Sequence, residues 1–185
     1  MKTVTINDIR GNVLNSVEIS DDTPKDQEIK VALEKSVHLR INLQGADLEG
    51  NDLAGANLWG ADLLEANLRE ANLRGANLSG ADLRKANLKK TFLKGTDLEG
   101  ANLERAIIKK DILLLKDGYF TVTNIGSEQG TLEVFNTNRG LYFRRWCFFG
   151  NEAKFKAEII DTHRDNRIAK LYLHMIAGAK LRFNS

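Results

Sequence analysis

Leucine, or in one case isoleucine, stands at every fifth position from Leu43 to Ile108: 43, 48, 53, 58, 63, 68, 73, 78, 83, 88, 93, 98, 103 and 108. On an α-helix a five-residue step advances about 140°, which smears these side chains around the cylinder, and on a flat strand an odd step alternates faces. Neither element can hold all fourteen in one core. The backbone has to turn a corner once per repeat so that each leucine meets a shared axis, which predicts a solenoid.

The remaining positions of the repeat agree. Two residues before the leucine stands alanine at 46, 56, 61, 66, 71, 76, 81, 86, 101 and 106, with Thr91 and Thr96 as near substitutes and Ile41 and Asn51 as exceptions. A small side chain suits a second inward position where backbone walls crowd together. The residue just before the leucine is Asn or Asp in twelve of the fourteen repeats, failing at Phe92 and Ile107. Asx side chains bond to nearby backbone in turns, so a corner at each repeat accounts for them. Two residues after the leucine, glycines such as Gly60 and Gly80 permit the dihedrals of a corner. The position directly after the leucine varies freely and is expected to face outward.

The chain here resembles the pentapeptide-repeat family, whose A-(D/N)-L-x-x signature reads Ala56-Asn57-Leu58-Trp59-Gly60 and Ala76-Asn77-Leu78-Ser79-Gly80. The resemblance covers residues 41–110. It implies a right-handed quadrilateral β-helix with four pentapeptides per coil, hence about three and a half coils, in a rod only about 17 Å long at the inter-strand spacing of roughly 4.8 Å. The resemblance implies a binding function, since the family's best-known functions are of that kind and include members that protect gyrase by resembling DNA in shape and negative charge. The repeats here hold ten Lys or Arg against ten Asp or Glu, which argues against a DNA mimic binding gyrase or another topoisomerase.

Residues 1–40 read as a β-hairpin, with TVTINDI and VLNSVEI around Gly11-Asn12, followed by an amphipathic capping helix over KDQEIKVALEKSVH, with Thr23 as N-cap before Pro24. An open solenoid end exposes leucines and strand edges, so a cap is expected there. Residues 111–185 read as an α+β domain. Three strands lie in LLLKDGYFTVTNIG, TLEVFNT and GLYFRRWCFFG, then a helix starts at Asn151 with Phe155, Ile159 and Ile160 inward. A second helix from Asp165 or Asn166 carries Ile168, Leu171, Tyr172, Met175 and Ile176 and is expected to stop at Gly178. The stretch from Trp146 to Asn166 resembles the tail of pentapeptide-repeat proteins encoded by phages and prophages, which implies no activity.

Composition narrows the function. Net charge is +2, and the single Cys147 excludes an internal disulfide and suits a reducing compartment. With no membrane-length apolar run and a polar start, a cytoplasmic location is expected, with no membrane partner. No P-loop, H-E-x-x-H or G-x-S-x-G occurs. His163-Arg164-Asp165 lacks the glycine-rich loop and asparagine of a kinase site, Lys170 standing in the latter's place, and His38, His163 and His174 are far apart. No catalytic residue, metal site or cofactor is therefore expected.

What is left is binding. Residues twenty apart should stack on neighbouring coils, which gathers Arg69, Arg74, Arg84, Lys89 and Lys94 into a basic surface able to hold nucleic acid or a nucleotide. Trp59 and Leu64 are large apolar residues at outward positions, set either to meet a partner or to pack on the N-terminal hairpin. The leading expectation is a non-enzymatic protein-interaction module, phage-derived and binding a host or phage protein. Its recognition surface is placed in the C-terminal domain, at Arg139, Tyr142, Arg144, Arg145 and Trp146, because aromatic and arginine residues dominate interface energetics. Adjacent strand residues point to opposite sides, so one of Arg144 and Arg145 should face outward.

Overall fold

A computed structural model of the chain describes residues 1–109, 112–125, 130–145, 148–163 and 167–183. The chain forms two compact units, Met1–Asp117 and Gly118–Ser185.

Unit 1 begins with the antiparallel hairpin of β1 (Lys2–Asn7) and β2 (Val13–Ile19), paired from Lys2 with Ile19 to Asn7 with Val13. Alternation puts Val4, Ile6, Val17 and Ile19 inside. The turn is organised by Asp8 as much as by Gly11: its Oδ1 accepts the N–H groups of Arg10 and Asn12 at 2.8 Å each. A 3-10 turn at 25–27 then leads into α1 (Glu28–His38), and neither it nor the helix has a side-chain N-cap, so Thr23 does not play the expected capping part. The extra turn moves the helix start to Glu28, beyond the reach of Thr23. Ala32, Leu33 and Ser36 face the hairpin, and Lys2 pairs with Glu28 at 2.9 Å.

The repeats follow as a ladder with a step of twenty. Parallel bridges join Asp47 to Asn67, Asp52 to Asn72, Asn57 to Asn77, Asp62 to Asp82 and so on to Asn87 with Ile107. Leu58 N–H donates to Asn77 O at 2.8 Å, and Asn77 N–H returns to Ala56 O at 2.9 Å. The repeat leucines at every fifth position from 43 to 93, and Leu103, are at most 2% exposed, and the alanines before them at most 3%; Leu98, in the last coil, is half-buried. Where alanine gives way to threonine, Thr91 and Thr96 turn their hydroxyls to Leu68 O and Leu73 O at 2.8 and 2.7 Å, satisfying the buried group.

The twelve Asx corners are closed as the pattern predicted. Asn or Asp Oδ1 accepts the N–H two residues on, from Asn42 with Gln44 to Asn102 with Glu104. The position two after the leucine has positive φ throughout residues 45–105, +64° to +73° at the glycines. Glu65, Glu70, Lys85, Lys90 and Arg105 hold the same conformation without being glycine, at φ +58° to +63°. After the last repeat, β3 (Ile107–Lys109) pairs antiparallel with the start of β4 (Ile112–Ile125), and Arg105 N–H donates to Leu114 O at 2.8 Å. The chain up to Asp117 thus stays with unit 1.

In unit 2, β4 neighbours β5 (Gly130–Thr137), followed by β6 (Gly140–Arg145) and β7 (Phe148–Asn151). The third expected strand is in fact two, since Arg145 of β6 pairs back with Phe148 of β7. No Gly, Pro, Asn or Asp marks the reversal, so alternation alone could not show it. Trp146 and Cys147 lie outside the described residues. Asn151 Oδ1 accepts Lys154 N–H at 3.1 Å, capping α2 (Glu152–His163) where a helix start was expected. The expected start of the next helix, Asp165 or Asn166, is outside the described residues. That helix, α3 (Arg167–Phe183), runs through Gly178 rather than stopping there, because Ala179 beyond it is buried in the core. Glycine in a helix costs about 1 kcal/mol, a penalty that this packing offsets.

The core of unit 2 joins Leu132, Val134 and Phe143 of the sheet to Phe155, Ile159, Tyr172 and Ile176 of the helices. Phe143 stacks on Phe155 with ring centroids 4.8 Å apart. Ile160 and Leu171, expected inside, are 54% and 47% exposed, one position off the buried stripe.

The five-residue register makes a direct prediction. Leu73→Lys, placing a charge at a fully buried axial position, should abolish cooperative unfolding or lower the Tm by more than 10 °C, whereas Arg74→Glu, one residue on, should cost no more than about 1 kcal/mol, the worth of its guanidinium 4.5 Å from the Phe92 ring centre. Thermal melts of the two variants check it.

Candidate interaction surfaces

The arginines and tyrosine expected to form a recognition surface sit on β6, and strand alternation sends them to opposite sides of the sheet. Tyr142 and Arg144 share one side with Tyr119, Glu133, Phe135 and Phe149. Arg144 forks onto the Glu133 carboxylate, its Nη2 2.8 Å from Oε1, and its guanidinium lies 5.3 Å from the centre of the Phe135 ring. The Tyr119 hydroxyl donates to the same Oε1 at 3.0 Å, and the Tyr142 ring lies 5.5 Å from that of Phe149. Burial first, and then the Glu133 charge, push the Tyr119 phenol well above its usual range. Burial is the largest effect on Arg144 and works against its charge, but the hydrogen bond to Glu133 and the Glu133 charge together outweigh it and hold the guanidinium more firmly protonated. Arg145 points the other way, 5.2 Å over the ring of Tyr172.

Neither arginine faces outward as expected. Both are half-buried, because unit 2 uses them to tie its sheet to a buried carboxylate on one side and to α3 on the other. Arg139 is exposed, on the β5–β6 turn closed by Thr137 and Gly140. Trp146 is outside the described residues.

The basic surface of the repeats is largely neutralised by its neighbours. Arg69 reaches Glu49 at 2.5 Å and Glu70 at 2.9 Å, and Arg84 folds back on Asp82. At the corners Lys85 pairs with Glu65 at 2.7 Å and Lys90 with Glu70 at 2.9 Å, each one coil away. Hydrogen bonds from Lys85 to Glu65, from Lys90 to Glu70 and from Arg84 to Asp82 lead the effects that hold those carboxyls below their usual range. Arg74 is engaged with Phe92, so that among the described residues Lys89 and Lys94 are the members of the set with neither a carboxylate nor a ring against them.

A third surface lies where α1 meets the first coil. A groove of about 650 Å³ is lined by Glu34, Val37 and His38 of α1, the 40–42 segment, and the repeat residues Asn57, Trp59, Gly60, Ala61 and Asp62. Lys30 Nζ donates to Ala54 O at 2.8 Å, and Glu34 Oε1 accepts Asn57 N–H at 2.9 Å. Trp59 stands at the groove with 66% of its surface exposed, while Leu64, its companion in the sequence, is half-buried. The outward position after each leucine made Trp59 visible in the sequence; the Glu34 and Lys30 contacts depend on where α1 lies and were not visible.

Comparison with known proteins bears on the repeats. A family model described as pentapeptide repeats matches residues 41–80 and 66–105, with eight copies. A pentapeptide repeat protein from Nostoc PCC 7120 is 37% identical over 41% of this chain and 76% of its own, with a TM-score of 0.23. The chain belongs to the pentapeptide-repeat family. Membership rests on the repeat sequence and not on superposition. Other solved members include one from the cyanobacterium Cyanothece 51142, 49% identical over 30% of this chain, with a TM-score of 0.30, and one from the Arabidopsis thaliana thylakoid lumen, 32% identical over 40%, with a TM-score of 0.27. The chain spans 37% and 59% of the length of these two. No curated protein matches the chain.

As a pentapeptide-repeat protein the chain has the family's fold, a right-handed quadrilateral β-helix, and falls in a family of protein-interaction modules that are generally non-enzymatic. Among the described residues no helix is long and apolar enough to cross a membrane, and no group of three His, Cys, Asp or Glu is placed to hold a metal.

Two measurements follow. Arg144→Ala leaves Glu133 buried without its cation and should destabilise unit 2 by about 3–5 kcal/mol in denaturant melts, an outcome foreign to a free surface residue. In the β-helix, Glu65, Glu70 and Asp82 have depressed folded-state values, so the stability they contribute is present above their unfolded values of about 4 and is lost as pH falls through the folded ones. Between pH 7 and pH 3, the Tm of the Glu65→Gln/Glu70→Gln variant should fall less than that of the parent.

Proposed function

We propose that the protein is a non-enzymatic binding module whose recognition surface is the first-coil end of the β-helix around Trp59. The single observation that carries this reading is the two-thirds-exposed indole, held at a fixed corner of a regular scaffold beside a groove of about 650 Å³. Tryptophan is among the residues that most often dominate interface energetics, and ligand pockets run from roughly 300 to 1,000 Å³. The contacts of the β6 arginine pair with Glu133 and Tyr172 inside unit 2 support a recognition surface elsewhere than the sequence pointed to. Lys89 and Lys94 alone are too few for a nucleic-acid track, and the ten-to-ten charge balance of the repeats disfavours a DNA mimic.

The hairpin and α1 have a second role in this reading, as the end cap of about three and a half coils. Asn7 O accepts Asp47 N–H at 2.8 Å, Ile9 N–H donates to Gly45 O at 3.1 Å, and Lys30 Nζ donates to Ala54 O at 2.8 Å, contacts that support a covered end.

The test is a full-length protein carrying a photo-crosslinking phenylalanine analogue at position 59, 99 or 139, irradiated in cells that produce it. A defined protein adduct from position 59 that is absent from 99, on the same face two coils down, is the expected result. An adduct from 139 and none from 59 would return recognition to unit 2, and captured nucleic acid would replace the protein partner.

A further inference from the structure

Every coil of this β-helix offers its carbonyls to amides of the coil before it. On the face that holds Trp59, Asn77 O and Ser79 O accept the N–H groups of Leu58 and Gly60 at 2.8 and 2.9 Å, and Asp97 O and Glu99 O accept those of Leu78 and Gly80 at 2.8 Å each. One coil up, the equivalent carbonyls are those of Asn57 and Trp59. Among the described residues neither accepts a hydrogen bond.

The cause is in the chain. By the register of the ladder, the residues due above this face are His38 and Arg40, but the chain there is still finishing α1. Leu39 N–H donates to Lys35 O and Arg40 N–H to Val37 O, at 3.0 and 2.9 Å, so the amides are used inside the helix end. Of the other three faces, one places its Asp47 N–H on Asn7 O, one has its Ala54 O covered by Lys30 Nζ, and one is covered by the start of the repeats themselves, Gly45 N–H bonding to Leu64 O. The fourth receives only the Glu34 carboxylate on Asn57 N–H, and the groove stands where the missing strand would lie.

We propose, building on the binding role assigned to this end of the molecule, that the groove takes an extended peptide segment of a partner as an added strand, and that the segment is basic. Two free carbonyls two residues apart match the amides at i and i+2 of an extended chain, the pairing that strand addition uses. The occupant lies parallel to the coil, as the coils lie to one another. Its basic character follows from the lining. Glu34 and Asp62 are half-buried carboxylates, where charge is screened least, whereas Arg40 and His38 are exposed at the mouth. Trp59 adds an indole face for a guanidinium or ammonium group.

The probe is a pooled library of hexapeptides with Arg or Lys fixed at alternate positions, compared with a matched library carrying Glu there, against the purified full chain. Binding is read by fluorescence anisotropy and by amide chemical shifts. The basic library should yield binders that shift the resonances of residues 57–62, while the acidic library yields none. N-methylation of the two alternate amides in the best binder should weaken it at least tenfold, and Trp59→Ala should weaken it about fivefold. Equal binding of the N-methylated peptide, binding of the acidic library, or shifts confined to other residues would overturn the proposal. So would a dimer in sedimentation that Trp59→Ala dissolves, since a second copy would then hold the edge. A position-59 crosslink to a protein with no hexapeptide binder leaves the interaction role standing and removes strand addition alone; the absence of both removes the two together.

Discussion

The twenty-residue hydrogen-bond ladder is the constraint on which unit 1 depends. Once every coil must pair with the next, each pentapeptide has to bend by the same amount, because one corner out of phase would break pairing on every later face. That requirement fixes the leucine on the axis, the small residue beside it, the Asx bond across the bend and the positive φ after it. None of these features is strong alone, yet a corner such as Ala76-Asn77-Leu78-Ser79-Gly80 contains all four at once.

The same constraint explains what the sequence disclosed. A period of five that persists from Leu43 to Ile108 leaves one architecture, so the solenoid, its inward leucines and its Asx corners could be read directly. What escaped was anything decided by the approach of distant segments. Glu65 and Lys85 look like ordinary surface charges, and only stacking shows that they occupy glycine's conformation and pair across coils. The β6–β7 reversal carries no turn residue, and Gly178 looks like a helix stop until the burial of Ala179 is known. Arg144 and Arg145 showed interface chemistry in the sequence, but the partners that claim them, Glu133 and Tyr172, are eleven and twenty-seven residues away.

The two units solve the same problem differently. In unit 1 the core is a column of near-identical leucines, and individuality is confined to the outward positions and the end. In unit 2 the core is a set of unlike aromatic rings, Phe143, Phe155 and Tyr172, joined by specific contacts, and even its charged residues are used for internal fastening. The uniform unit therefore leaves more of its outward side chains unclaimed, and its least regular place, where α1 stands in for a coil, is where the proposed recognition surface lies.

The charged corners give the tube a direction. Down one edge stand Glu65, Lys85 and Arg105, and down the next Glu70 and Lys90, all in the left-handed conformation and set one coil apart. Acid lies nearer the α1 end and base nearer the other, so the rod is electrically polar along its axis although its repeats sum to zero. Along the repeats the field therefore changes sign from one end to the other, and so a scaffold uniform in its core carries a direction on its outside.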